Sequence, residues 1–385
     1  MLPAFDTPRR MPAEVDLTLL WSALFLLLIG MVMVYSASIA IAEAGRFTGN
    51  HPAYFLVRHG VFLTIGLVAA GFAFQVPLTT WQQLAPWLFV AGFLLLALVL
   101  IPGVGRDVNG ARRWLSLGVA NLQPSELMKL FAVLYAADYT VRKMAHMHEL
   151  KRAFLPMAGA MVAVGILLLK EPDFGAFVVI ITLAIGILFL GGMRARLFAI
   201  LIVVLALAFA VLIIVSPYRR DRIFGFMDPW SDAFGRGYQL SHALIAFGRG
   251  ELLGVGLGAS VEKLFYLPEA HTDFILSVVG EELGFIGVVV IVGMFFLLVQ
   301  RAMRIAVAAP EPFGRFLALG IAVLFGIEAT VNMGVVTGLL PTKGLALPFI
   351  SYGGSSLIIS LFAVGILLNI SSGLKISSIS LKEEK

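Results

Sequence analysis

Residues 153–215 read AFLPMAGAMVAVGILLLKEPDFGAFVVIITLAIGILFLGGMRARLFAILIVVLALAFAVLIIV. Three apolar runs follow one another, parted only by KEPDFG and GGMRAR. A helix needs about 20 apolar residues to cross the hydrocarbon of a bilayer, and each run has nearly that length. The first two, joined by little more than LKEPDFG, read as a tight helical hairpin. This stretch therefore predicts a bundle of membrane-crossing helices.

The rest of the chain repeats the pattern. Runs of spanning length recur at 17–41, 54–76, 83–102, 124–141, 153–170, 173–191, 196–215, 274–300, 314–338 and 346–370. They predict an all-α integral membrane protein of about ten helices. Of its 385 residues, 60% are apolar and 13% charged, whereas soluble domains average about 25% charged. A mean hydropathy of +0.97 agrees. Cysteine is absent, which excludes disulfides, thiolate nucleophiles and Cys-ligated metals. Pro3, Asp6, Glu14 and Asp16 precede a first span long enough to stay in the bilayer, so no cleavable signal is expected.

Short-loop Lys and Arg set the orientation. With the N-terminus inside, the inner face collects Arg9 and Arg10, VRKMAHMHELKR, GGMRAR, QRAMRIAVAAPEPFGR and the tail LKISSISLKEEK. The expected layout is a cytoplasmic segment 1–16, a membrane domain 17–370 and a cytoplasmic tail 371–385, N-in and C-in. One large extracytoplasmic loop, 216–273, lies between the seventh and eighth helices. Against the rule, GRDVNGARRW and YRRDR put three arginines each on the outer side. Either these arginines meet lipid headgroups, or the outer face binds an anion. No internal repeat is visible, which disfavours a repeat-built transporter.

Ionisable groups gather where such a chain should avoid them. In YLPEAHTDFILSVVGEELG, residues 266–284, Thr272 reads as an N-cap and Asp273 falls in the first turn of the eighth span. Helical spacing sets Ser277, Gly280 and Gly284 on the same face, and small residues there allow close helix packing. The helix N-terminus favours the ionised carboxylate, so Asp273 is either a base of modest strength or a simple cap. Glu281 and Glu282 read as internal partners of other polar groups. In ARRWLSLGVANLQPSELMKL, residues 111–130, Glu126 and Lys129 share a helix face and read as a structural ion pair. The preceding Arg112 and Arg113 suit phosphate oxygens.

VTGLLPTKGLALPFISYGGSSLIIS, residues 336–360, reads as a loop or broken helix dipping into the membrane, tolerated only against protein or a wet cavity. It brings Lys343. In the large loop, GVGLG lacks the strand and helix that a dinucleotide site needs, so its glycines read as bends. YQLSHALIAF reads as a short amphipathic or re-entrant helix, and Lys263 adds a cation close in sequence to Asp273. Asp138 and Glu328 lie inside spans and read as polar contacts between helices, or as parts of a proton or ion relay. The histidines form no ligand cluster, and no HExxH occurs.

Three of these segments, RRW…QPSE…K, YLPEAHTDFI…EELG and LP…PFISYGGSS, occur in this order and resemble the SEDS family, the shape, elongation, division and sporulation proteins. The resemblance covers roughly residues 15–370. PTKGL and the full LPEAHTDF resemble its division branch more than its elongation branch. The resemblance implies a glycosyltransferase of the cytoplasmic membrane that polymerises lipid II into peptidoglycan strands at the division septum. It implies that Asp273 is the catalytic aspartate and that Glu126 and Lys129 are the helix-start ion pair. Partners implied are a class B penicillin-binding protein and other division proteins, with no nucleic acid. One departure is Glu328, where the family pattern carries Gln.

In the implied reaction a sugar hydroxyl displaces a lipid diphosphate with inversion, which asks for a base and for positive charge on the leaving group. Asp273 is the candidate base. Arg112, Arg113, Lys263 and Lys343 are the candidate diphosphate ligands. No metal or cofactor is assigned; a divalent cation such as Mg or Mn, with Asp273 among its ligands, is compatible with this chemistry. Two other functions compete, a flippase for the lipid-linked precursor and a non-enzymatic scaffold that activates a transpeptidase.

Overall fold

The computed structural model describes residues 15–383 except 109, 117, 119 and 120; Arg9 and Arg10, used above for orientation, lie outside the described residues. It is a helical membrane protein. The long helices are α1 (Leu17–Ala44), α2 (Tyr54–Gln75), α3 (Leu78–Val99), α4 (Pro124–Lys143), α5 (Leu155–Lys170), α6 (Phe174–Leu190) and α7 (Ala195–Val215). After them come α8 (Pro217–Met227), α9 (Tyr238–Gly250), α10 (Ile275–Ala308), α11 (Pro312–Val336) and α12 (Gly354–Glu383). Eight of the described helices are long and apolar enough to cross a membrane. The two others in the sequence reading are α6, apolar but only 17 residues long, and α4, which carries Glu126, Lys129, Asp138, Arg142 and Lys143. Helix α12 starts at 354 instead of 346 and runs on through most of the segment read as a tail.

Lipid, not water, is the solvent this surface requires. No side chain of α7 is buried, and Trp21, Leu28, Val203 and Leu207 stand more than half exposed. Inside the bundle, small residues let helices touch. A Cβ at Gly66 would strike Leu361, and one at Gly365 would strike the Ala70 backbone, so α2 and α12 approach as closely as their backbones allow. Asn369 of α12 donates to the carbonyl of Val76 (3.0 Å) and to that of Phe74, satisfying acceptors that the end of α2 leaves open. At the start of α1, Asp16 accepts from the Leu19 amide and takes a two-oxygen ion pair from Arg301 Nε at 2.9 and 2.7 Å.

Two features depart from the sequence reading. Three strands, β1 (Gly105–Val108), β2 (Ala111–Ser116) and β3 (Asn121–Leu122), form a small antiparallel sheet in that order. Gly110 turns β1 into β2 with φ 74°, the positive φ that such a hairpin turn demands. The eighth span is not one helix either. At Gly284 the backbone takes φ 66° and ψ −166°, splitting α10 into 275–283 and 285–308.

The break frees polar backbone, and the large loop satisfies it. Val255 N and Gly256 N donate to the carbonyls of Glu281 and Glu282, while Phe285 N and Ile286 N donate to those of Glu251 and Leu252. Residues 251–256 are thus inserted into the kink like a patch, pairing backbone groups that the break would leave open. The GVGLG glycines are the predicted bends, with φ of 82°, 103° and 83° at Gly254, Gly256 and Gly258. A Cβ at Gly284 would overlap the backbones of Leu252 and Gly254, in a conformation only glycine adopts without strain. Gly284→Ala is expected to cost about 3 kcal/mol and to lower the melting temperature of the detergent-purified protein by several degrees; an unchanged melt would contradict this account of the kink.

Candidate active site

Contacts between connecting segments put the β1–β3 sheet, the 171–173 turn, α8, the 266–274 turn and the 341–353 loop at one end of the bundle. Arg113 of β2 donates from Nε to the Glu171 carbonyl at 3.0 Å and from Nη2 to that of Pro172. Arg222 of α8 donates to the Thr342 carbonyl at 2.9 Å. Tyr352 N donates to the His271 carbonyl at 3.0 Å, and Ser351 Oγ to that of Thr272 at 2.6 Å. Gln123 N, at the end of the sheet, donates to Ser355 Oγ at 3.0 Å, so segments more than two hundred residues apart form one surface.

Asp273 sits at its centre. Asn332 of α11 donates both to the Asp273 carbonyl (2.8 Å) and to the Leu345 carbonyl (2.6 Å), tying the turn to the loop. The carboxylate lies against Gly344, where any Cβ would collide with Oδ2. Neither Thr272 nor Asp273 has the place read from sequence. The helix begins at Ile275 with Phe274 as its cap residue, and Thr272 Oγ1 instead donates to the Glu269 carboxylate at 2.8 Å. Burial, reinforced by the charge of Glu269, pushes the Asp273 carboxyl up to about 7, with Arg222 and Arg113 pulling it down and Asp173 adding to the rise. A carboxyl shielded from water is a stronger base than one in a helix's first turn.

Cations from three elements surround the neighbouring turn. Lys343 lies over the Phe174 ring, with Nζ 4.3 Å from its centre, and its buried ammonium has no hydrogen-bond partner among the described residues. Burial lowers its pKa to about 7; Asp173 opposes the fall, and Arg113, Arg222 and Arg219 add to it. Arg219 also lies over this ring, 5.3 Å from its centre. Asp173, the N-cap of α6, accepts from the Ala176 amide (3.2 Å) and from Ser125 Oγ (2.8 Å). A positive cluster of Arg113, Arg219, Arg222 and Lys343 thus borders the partly buried Asp273, the arrangement that developing phosphate charge requires.

The expected diphosphate ligands separate. Arg113 and Lys343 belong to the cluster. Arg112 is its neighbour on a strand, where successive side chains point to opposite faces; it is nearly half exposed and lies 3.7 Å from Asp107. Lys263 is withdrawn altogether: its ammonium donates to Glu282 (2.7 Å), Ser36 (3.0 Å) and the Gly258 carbonyl (2.8 Å), leaving no donor for a phosphate. Arg219 and Arg222 were visible in the sequence only as the surplus positive charge of YRRDR.

The other carboxylates are fasteners, as expected for Glu281 and Glu282. Glu281 accepts from Ser260 Oγ, from the Val261 amide (2.9 Å) and from Arg249 (3.3 Å), and Glu282 holds Ser36 and Lys263. They pin the large loop onto residues 275–283, directly behind Asp273. Glu126 pairs with Lys129 at 2.8 Å, but the pair is a triad, because the same ammonium also donates to Glu328 of α11. Asp138 is paired with Arg142 at 2.7 Å. Among the described residues no three His, Asp or Glu side chains are grouped as a metal would need.

Comparison with known proteins adds three findings. The cell cycle protein family typified by FtsW, RodA and SpoVE matches residues 17–376. Proteins named "Probable peptidoglycan glycosyltransferase FtsW" from Aromatoleum aromaticum and Trichlorobacter lovleyi are 61% and 52% identical to the chain, covering 93% and 100% of it and 88% and 100% of themselves. Among solved structures, one described under "Structural coordination of polymerization and crosslinking by a peptidoglycan synthase complex" aligns with a TM-score of 0.77 at 31% identity, over 94% of this chain and 98% of that one. The rod shape determining protein RodA of Thermus thermophilus aligns at 0.68 and 29%, over 93% and 97%.

Proposed function

The chain belongs to the FtsW, RodA and SpoVE family of cell cycle proteins, and on that footing we propose that it is a peptidoglycan glycosyltransferase that polymerises lipid II at the outer face of the cytoplasmic membrane during division. The observation that carries the reading is the pairing of a desolvated carboxylate, Asp273, with a cluster of cations drawn from β2, α8 and the 341–353 loop. Asp273 takes the proton of the attacking sugar hydroxyl. As the C–O bond to the anomeric carbon forms from the opposite side, the bond to the lipid diphosphate breaks with inversion. Arg113, Arg219, Arg222 and Lys343 hold the departing negative charge.

A divalent cation in this reaction would come on the diphosphate itself, as Mg usually does, keeping most of its waters and few protein ligands. The resemblance of fold to a member of a peptidoglycan synthase complex supports a class B penicillin-binding protein as partner. Alternation of the connecting segments between two ends supports ten crossings with both termini inside. The flippase reading drew on unpaired carboxylates within the spans, and both are paired, Glu328 with Lys129 and Asp138 with Arg142.

Purified protein with its transpeptidase partner, given lipid II in detergent, is expected to make glycan strands that lysozyme digests. Movement of labelled lipid II across liposomes without any polymer would favour the flippase instead. Neither activity in protein that still binds its partner would favour the scaffold.

A further inference from the structure

The turn between α5 and α6 carries a second carboxyl that the reaction above does not use. Glu171 is fully buried, and neither of its side-chain oxygens has a hydrogen-bond partner among the described residues. Buried polar atoms are nearly always satisfied, so an orphan pair calls for a partner the protein itself does not supply. The first turn of α6, which follows directly, packs against another orphan of this end, the Lys343 ammonium, against which a Cβ at Gly175 would lie at 3.1 Å. Two unsatisfied groups of opposite kind beside one turn describe half of a ligand site.

We propose that Glu171, as a neutral carboxylic acid, donates a hydrogen bond to the diphosphate of the lipid-linked donor, beside Lys343. The inference rests on the function proposed above and deepens it by assigning the diphosphate a further ligand. A carboxylate could not do this, since it accepts only and would repel the phosphate. The surroundings keep the acid neutral. Burial, with Asp173 two residues on, pushes Glu171 up to about 9, and the Arg113 guanidinium opposes them without prevailing. Arg113 is committed by its Nε to the Glu171 backbone carbonyl, at 3.0 Å, instead of to the carboxyl. The other charged groups around this turn are Lys343 from the 341–353 loop and Arg219 and Arg222 from α8.

The test is binding of undecaprenyl diphosphate to the full-length protein in detergent, measured separately from polymerisation, for wild type, Glu171→Ala and Glu171→Gln. Glu171→Ala is expected to weaken binding about tenfold, the loss of one hydrogen bond to a charged group, and the amide donor of Glu171→Gln to restore most of it. Loss of the Lys343 proton near 7 weakens binding equally in all three proteins, but wild type is expected to lose affinity a second time as pH rises through about 9, a step that Glu171→Gln lacks because its amide does not ionise. Melting curves identify any variant that fails to fold; if alanine does, the pH dependence of wild type against glutamine still decides. Equal affinity of all three, or the same loss near pH 9 in wild type and glutamine, would overturn the proposal. Absence of polymer with diphosphate binding intact would instead count against the enzymatic reading alone.

Discussion

Asp273→Asn is expected to slow lipid II polymerisation about a thousandfold, within the range by which a positioned general base accelerates proton transfer, equivalent to roughly 4 kcal/mol of barrier. Asparagine keeps the shape and the contact with Gly344 but cannot take a proton from a sugar hydroxyl. The loss should not come from unfolding. A carboxyl raised to about 7 by burial, against about 3.9 in an unfolded chain, binds its proton more tightly in the folded state. Its contribution to stability is therefore largest below about pH 4 and declines as pH rises towards 7. The uncharged amide escapes that decline, so Asp273→Asn should melt no lower than wild type at pH 8. Gel analysis of glycan strands together with a melting curve separates the two effects. A variant that polymerises within tenfold of wild type would remove Asp273 from the chemistry.

The second large effect is structural. Lys129→Met is expected to destabilise the bundle by about 3–5 kcal/mol, the penalty for removing one partner from a buried ion pair. Lys129 bonds Glu126 and Glu328 at once, and all three side chains are largely buried. Without the ammonium, two carboxylates face each other in a medium that stabilises neither. Glu328→Gln should be far milder, since an amide still accepts from Lys129 and one negative charge is gone. Detergent melting temperatures of the two variants, measured side by side, check this. A Lys129→Met protein as stable as Glu328→Gln would mean that the triad is not what joins α4 to α11.

How much of this was written in the sequence depends on the distance over which each interaction acts. The apolar runs announce helices because spanning a bilayer is a local demand on some twenty consecutive residues, and the 341–353 loop shows itself by its prolines, glycines and serines. Asp273 was legible as an anomaly, a carboxylate at the mouth of an apolar segment. Its basicity was not, because burial by the 341–353 loop, and not the field of its own helix, governs the proton. The Gly284 break hid in an apolar run, since one glycine there signals nothing until the 251–256 segment is inserted against it. Lys263 looked like a free cation because its partner Ser36 lies 227 residues away; Glu328 looked unpaired because Lys129 is 199 residues distant. The sheet within 105–122 was missed although the sequence Asn-Gly at 109–110 is a hairpin signal, and with it the reason that Arg113 joins the cluster while Arg112 does not.

The pH dependence of kcat/KM for lipid II polymerisation bears most directly on the central idea, that a shielded carboxylate beside bound phosphates removes the sugar's proton. A base must be ionised to act, so the rate should climb with pH along a limb set by a group near 7, well above an ordinary aspartate, until loss of the Lys343 proton, also near 7, turns it down. The residual rate of Asp273→Asn should lack that limb. A wild-type profile flat from pH 5 to 8, or the same rising limb in Asp273→Asn, would contradict the account.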